Sequence, residues 1–287
     1  MIQEIKRTFI LGEEWLYYKI YCGSYSADSI LIESILPIVT ELLEQKLIAQ
    51  WFFIRYNDPK NHLRVRFQIP NVDNIQKIIK LTQPHFSKLI EKDVAYDIVT
   101  ATYKREIERY GKTTIGLVEE LFCYHSEKTL HLIDNTTPEE DEIVRIFASL
   151  HMIDNLLESF NISLNHRINF VQSMELAYKT EHHIEKENNK KLDRLFRIYR
   201  NDIEFYLYEK NEPLYLEGLI ELMKITEKET EIIKNIISKK LSTDLEALIS
   251  SLIHMNINRI FRSKQRQYEM LCYDFINRYY KSTIARK

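Results

Sequence analysis

Glycine is scarce in this chain of 287 residues: there are five, at Gly12, Gly23, Gly111, Gly116 and Gly218. None of them stands in a G-x-G-x-x-G or a G-x-x-x-x-G-K-[ST] arrangement. The glycine-rich turns that wrap dinucleotide or nucleotide phosphates are therefore excluded at the motif level. Cysteine is scarcer still. Cys22, Cys123 and Cys272 are far apart, with no C-x-x-C and no H-E-x-x-H anywhere, so neither a disulfide framework nor a common zinc motif is expected. Three isolated thiols suit a reducing, cytoplasmic setting. An excess of one charge is also missing. Forty Lys+Arg against 42 Asp+Glu leave a net charge of -2, which removes the broad basic field of a general nucleic-acid binder, and direct tRNA binding is not expected. No stretch supplies about 18 uninterrupted apolar residues. The opening MIQEIKRTFILGEEW carries charges throughout and has no small-residue cleavage site, so neither membrane insertion nor export is expected. No serine sits in a G-x-S-x-G elbow, and His182-His183 in a charged stretch is a weak ligand pattern, so neither a hydrolase triad nor a metal site is expected.

What the chain has instead is aromatic residues, 18 Tyr and 13 Phe, and a change of period part-way along. Trp15 to Tyr21 reads as a β-strand, and Ser24 to Asp28 offers a cap before an apolar-periodic helix from Ile30 to Leu47. Gln50 to Tyr56 and His62 to Ile69 read as a hairpin across Asn57-Asp58-Pro59-Lys60-Asn61, a loop built of turn residues. A helix from about Val72 to Glu91, interrupted by Pro84, and a fourth strand from Val94 to Tyr103 complete the order βαββαβ. That order predicts an antiparallel sheet with helices on one face. From Thr114 the period becomes 3.6, which predicts about six helices to the C-terminus, broken near Asn135 to Pro138, Asn188-Asn189, Asn211 to Pro213 and Ser242 to Asp244. The fold class is α+β, with an α+β half over residues 1–112 and a helical half over 113–287. The absence of a linker predicts two packed halves.

Three segments can carry chemistry. Strand alternation puts Leu63, Val65, Phe67 and Ile69 on one face of a strand and His62, Arg64, Arg66 and Gln68 on the other. The Arg64 and Arg66 Cα atoms then lie roughly 7 Å apart. That spacing suits two carboxylates or one dianion, unless the face is merely solvated. Tyr103 to Gly111 (YKREIERYG) carries Arg105, Glu106, Glu108 and Arg109. In a helix, Arg105 and Arg109 would share a face, as would Glu106 and Arg109; an ordinary ion-pair patch is the alternative. Within Leu252 to Arg259 (LIHMNINR), His254 and Asn258 share a helical face at i, i+4. An imidazole there can transfer protons or be purely structural.

Taken together, WLYYKIYCG at Trp15 to Gly23, WFFIRYNDPKNHLRVRF at Trp51 to Phe67, YKREIERYG at Tyr103 to Gly111 and HMNINR at His254 to Arg259 resemble the C-terminal elimination domain of lantibiotic dehydratases. The same domain occurs as a stand-alone thiopeptide-type bacteriocin biosynthesis protein. The resemblance implies a lyase acting on a ribosomal precursor peptide whose Ser or Thr hydroxyls carry glutamate delivered from glutamyl-tRNA. Removal of the α-proton and loss of glutamate would leave dehydroalanine or dehydrobutyrine, with no cofactor. It implies His254 and Arg109 as catalytic residues and Arg64, Arg66 and, more weakly, Glu106 as substrate-binding ones, to which spacing beside His254 adds Asn258. It further implies a separate glutamyl-tRNA-dependent glutamylating protein as partner, and it leaves a homodimer open. Relatives of the same fold form pyridines by [4+2] cycloaddition, and a non-catalytic peptide-binding subunit is a third reading. The R-x-R pair and HMNINR favour elimination, because a cycloaddition of two dehydroalanines has no glutamate carboxylate to hold.

Overall fold

The computed structural model describes residues 5–137, 141–239 and 243–284. They fall into two compact units, residues 1–134 with 235–244 and residues 135–234 with 245–287. We call these the sheet unit and the helical unit.

The sheet unit opens with β1 (Thr8–Phe9) and β2 (Trp15–Cys22). Helix α1 (Ser26–Ile30) then runs through a π-helical turn (Leu31–Ile35) into α2 (Leu36–Glu44). The hairpin β3 (Gln50–Asn57) and β4 (Asn61–Gln68) follows, then α3 (Ile75–Glu91), β5 (Ala95–Thr100), β6 (Tyr103–Lys104), the single turn α4 (Ile107–Tyr110) and α5 (Ile115–Asp134). The four long strands form an antiparallel sheet in the order β3-β4-β2-β5, so the expected βαββαβ order is realised. Leu63, Val65, Phe67 and Ile69 face the helices and are completely buried, in one cluster with Leu16, Ile20, Trp51, Phe53, Ile30 and Ile78. Burying each such side chain contributes roughly 1.5–3 kcal/mol, enough to pin the register, since a one-residue slip would turn all four outward. The open edge of β3 is covered by α5: the Phe53 amide donates to Ser126 Oγ at 3.2 Å and the Phe52 ring packs against Phe122. This packing carries the sheet unit beyond residue 112 to Asp134.

Two local expectations are corrected. Pro84 does not interrupt α3, which runs unbroken from Ile75 to Glu91. A proline inside a helix costs about 3 kcal/mol, but Pro84 is on the exposed side, where the carbonyl it leaves unpaired can meet water. The opposite side buries Ile78, Thr82, Phe86 and Leu89. Val94 to Tyr103 is not one strand. It breaks at Ala101-Thr102, and Tyr103 and Lys104 pair with Phe9 and Thr8 in a second, two-stranded sheet. Stacking of Tyr103 on Phe9 and edge contact with Trp15 draw the chain there.

The helical unit contains α6 (Asp141–Ser159), α7 (Leu164–Glu181), α8 (Lys186–Leu207), α9 (Leu219–Met223), most of α10 (Glu227–Ser238), α11 (Leu245–Ile260) and α12 (Gln265–Ile284). Helix α12 packs against α6, α7, α8 and α11, and Phe147, Leu150, Leu252, Ile253, Phe275 and Ile276 are completely buried. A capping box starts α10: the Thr226 amide donates to Glu229 and the Glu229 amide donates back to Thr226 Oγ1. The predicted break at Asn188-Asn189 is absent. The chain breaks earlier, over 182–185, and both asparagines lie in the first turns of α8. Asn211 to Pro213 does separate α8 from the next turn, and Thr243-Asp244 precede α11, whereas Pro138 and Ser242 lie outside the described residues. Among the described residues no helix is long and apolar enough to cross a membrane.

Candidate functional site

On the sheet face away from α1, α2 and α3, β4 lies between β2 and β3. Each of its side chains therefore has two cross-strand neighbours. Arg66 is flanked by Tyr17 and Phe52, Arg64 by Lys19 and Ile54, and His62 by Tyr21 and Tyr56. Tyr103 comes from β6 to complete a cage. The Arg66 guanidinium carbon sits 4.4 Å from the centroid of the Tyr17 ring, 5.0 Å from Phe52 and 4.9 Å from Tyr103, the geometry of a cation on aromatic faces. Arg66 is only 6% exposed, and its Nε and Nη1 are buried with no hydrogen-bond partner among the described residues. Burial lowers its pKa, against the negative charge of Glu106 and the Tyr103 and Tyr17 hydroxyls, yet a guanidinium stays cationic at neutral pH.

Arg64 is held differently. Its guanidinium carbon lies 3.3 Å from the centroid of the Tyr56 ring, and its Nε donates to His62 Nε2 at 3.0 Å. His62 Nδ1 is 2.8 Å from the Lys60 carbonyl oxygen. A carbonyl can only accept, so the network assigns the proton to Nδ1 and leaves Nε2 as an acceptor for Arg64. Burial pushes the His62 pKa below 6.5, with the nearby Arg64 cation acting in the same direction and the Lys60 carbonyl opposing. The imidazole is thereby kept neutral. Neither Arg64 nor Arg66 has a carboxylate partner among the described residues.

The junction segment is mostly self-satisfied. Glu119 of α5, completely buried, accepts from the Tyr103 hydroxyl at 2.7 Å and from Arg105 Nε and Nη2 at 2.7 and 2.6 Å. It thereby fixes one ring of the cage. Burial, with Glu119 next, pushes the Tyr103 hydroxyl far above its ordinary pKa, so it stays a donor. Arg7 grips Glu108 with both terminal nitrogens. Arg109 pairs with Glu106 at 3.1 Å across the single turn α4, and both are substantially exposed. Arg105 and Arg109 do not share a helical face, because α4 begins only at Ile107 and Arg105 is turned to Glu119. Glu119 was not among the residues singled out in the sequence. Its signal is an acid at i+4 from Ile115, on the apolar stripe Ile115, Val118, Phe122.

In the helical unit, Ser250, Ser251, His254 and Asn258 form the partly exposed stripe of α11, amid fully buried neighbours. His254 Nδ1 meets Glu269 Oε2 of α12 at 2.8 Å; the histidine side chain is 27% exposed and the glutamate 0%. Around this pair, Arg266 Nη1 donates to the Tyr178 hydroxyl at 3.1 Å, and the same guanidinium clasps Glu181. Burial, followed by the charge of Glu269, drives the Tyr178 hydroxyl pKa strongly upward. Glu269 too escaped the sequence reading. It is visible there only as a lone acid opening the apolar run Met270-Leu271-Cys272-Tyr273. The structure thus gathers Arg64 and Arg66 on one sheet face, with Glu106 and Arg109 on the segment that follows the cage residue Tyr103. His254 and Asn258 belong to the helical unit.

The model of the lantibiotic biosynthesis dehydratase C-terminal family matches residues 15–280. The subtilin biosynthesis protein SpaB of Bacillus subtilis is 25% identical over 254 residues, covering 87% of this chain and 24% of SpaB. The chain therefore spans about a quarter of the length of the curated relatives it matches. Among solved structures, the tRNA-dependent lantibiotic dehydratase MibB from Microbispora sp. 107891 superposes with a TM-score of 0.71 at 16% identity, covering 97% of this chain and 29% of MibB. The pyridine synthase TbtD from thiomuracin biosynthesis gives 0.64 at 11% identity, covering 96% of this chain and 100% of TbtD. At these identities the two superpositions establish the fold alone. The family match, which takes in R-x-R on β4, ERYG at the junction and HMNINR on α11, establishes more: this chain belongs to the lantibiotic dehydratase C-terminal family.

Proposed function

We propose that this protein is a lyase that removes glutamate from glutamylated Ser or Thr residues of a ribosomal precursor peptide, leaving dehydroalanine or dehydrobutyrine. The observation that carries the proposal is the pair Arg64 and Arg66, cations set in aromatic surroundings with no carboxylate bonded to them among the described residues. Elimination breaks the Cα–H bond and the Cβ–O bond. The electron pair of the first forms the Cα=Cβ double bond, and that of the second leaves with glutamate as a carboxylate. A glutamyl ester thus brings one carboxylate and generates another, and the Arg64 and Arg66 guanidiniums stabilise the charge as it develops on the leaving group. His254 is the base that takes the α-proton and Arg109 stabilises the enolate-like oxygen. Glu106 and Asn258 orient the substrate. The chemistry as written uses side chains only.

The glutamyl group must come from elsewhere, since the chain has no phosphate-binding glycine motif and no net basic field for tRNA. A separate glutamyl-tRNA-dependent protein is the implied partner, in a cytoplasmic setting. The test is mass spectrometry of a precursor peptide bearing one glutamylated serine, mixed with this protein alone. The expected product has lost one water relative to the unmodified peptide, with free glutamate released. An inert glutamyl peptide together with ring closure of a peptide carrying two dehydroalanines would replace elimination by cycloaddition. Binding without any conversion would leave a peptide-holding subunit.

A further inference from the structure

We infer that Glu269 is a positioning residue for His254: its buried carboxylate holds the proton on Nδ1 and so presents Nε2 with its lone pair free to accept a proton. The inference rests on the elimination reading for its catalytic consequence, but its geometry stands alone. An ionised carboxylate can only accept a hydrogen bond, so the 2.8 Å contact from His254 Nδ1 to Glu269 Oε2 assigns the Nδ1–H tautomer to a neutral imidazole. A carboxylate also stabilises the imidazolium that forms once Nε2 has taken a proton.

Burial makes the arrangement selective. Glu269 is 0% exposed and His254 is 27% exposed, so the acid is screened from water while the base keeps an open side. The groups facing the pair come from two helices. Helix α7 brings Tyr178 and Glu181, with His182 just beyond its end; α12 brings Arg266 beside Glu269. Arg266 is engaged by Glu181 and by the Tyr178 hydroxyl, and acts on Glu269 through its charge. A histidine that only filled space would not need a buried acid on the next helix.

The experiment uses the full chain labelled with 15N in its histidine rings, His254 being assigned by the signal missing from His254→Asn. Long-range proton–nitrogen spectra read the tautomer directly. The wild type is expected to show Nδ1–H for neutral His254; an Nε2–H ring in the folded wild type overturns the inference without recourse to any variant. Glu269→Gln, nearly isosteric, replaces an obligate acceptor by an amide that can also donate, and is expected to give a mixture of tautomers. With the glutamyl-serine peptide, kcat should fall roughly ten- to a hundredfold with KM within about twofold, and Glu269→Asp should recover part of the loss. Unchanged ring signals in Glu269→Gln, or an equal rise in KM with kcat untouched, overturns the inference. A wild-type protein that shows the Nδ1–H ring and its loss in Glu269→Gln, but leaves the glutamyl peptide intact, fails the elimination reading and leaves the positioning intact.

Discussion

Arg55 and Arg66 sit on neighbouring strands of one sheet and are equally inaccessible, at 4% and 6% exposure, but they point to opposite faces. On the face covered by helices, Arg55 meets the Asp28 carboxylate of α1 at 2.5 Å. On the other face, Arg66 lies among Tyr17, Phe52 and Tyr103 with no carboxylate bonded to it among the described residues, Glu106 acting on it only as a nearby charge. The contrast separates two uses of a buried cation. Arg55 is part of the packing, since its charge is answered inside the protein. Arg66 has no such partner among the described residues, and under the proposed function its charge is answered by the substrate, since a buried charge without a bonded partner is costly to keep.

Substitutions can break that comparison. The largest effect is expected away from it: His254→Ala should fold and slow elimination about a hundred- to ten-thousandfold, so that glutamylated peptide accumulates in mass spectra. Next, Arg66→Met should slow glutamate release by about 10²–10³, while urea unfolding finds stability unchanged or raised by up to roughly 2 kcal/mol, because no partner charge is stranded. Arg66→Lys should lose most of the rate too, since the bidentate fork is gone. Arg55→Met should do the reverse, costing about 3–5 kcal/mol of stability by taking the cation away from the buried Asp28 carboxylate. If Arg66→Met unfolds and Arg55→Met does not, the distinction between the two faces is wrong.

Glu119→Gln sharpens the same point one step out. It weakens the hold on Tyr103 and Arg105 together, for an expected loss of roughly 1–3 kcal/mol in urea unfolding and a smaller drop in rate than Arg66→Met causes. The smallest effect concerns pH. Burial lowers the His62 pKa from 6.5, so the folded state binds this proton less readily than the unfolded one. The stability from a neutral His62 is complete above about pH 6.5, begins to fall below it, and is lost once pH passes the lowered folded value. The same protonation removes the acceptor that holds Arg64 Nε. His62→Gln keeps an acceptor without titrating, and should flatten that part of the stability profile; an identical acid slope in both proteins would deny His62 this role.

Much of this was legible in the residues themselves. The alternation Leu63, Val65, Phe67, Ile69 against His62, Arg64, Arg66, Gln68 predicts both faces of β4, because a period of two admits only two sides. In the same way the shared face of His254 and Asn258 on α11 follows from spacing, although its partial exposure does not. Partners distant in sequence were not legible. Nothing local links Asp28 to Arg55, Glu119 to Tyr103 or Glu269 to His254, since each pair is made by packing between separate elements. Pro84 and the break before Tyr103 were misjudged for a related reason: in both, tertiary burial outweighs a local preference. The division of roles between Arg55 and Arg66, both arginines in strands rich in aromatics, appears only when the acid beside one of them is seen.

Under the proposed function, Arg66 is kept for the glutamate carboxylate. The most direct measurement is single-turnover release of glutamate from a glutamyl-serine peptide by the wild type and by Arg66→Met, each with its melting temperature taken in the same buffer. Equal or higher melting is expected for Arg66→Met, with release slowed a hundredfold or more. Equal release rates from two equally folded proteins would contradict it.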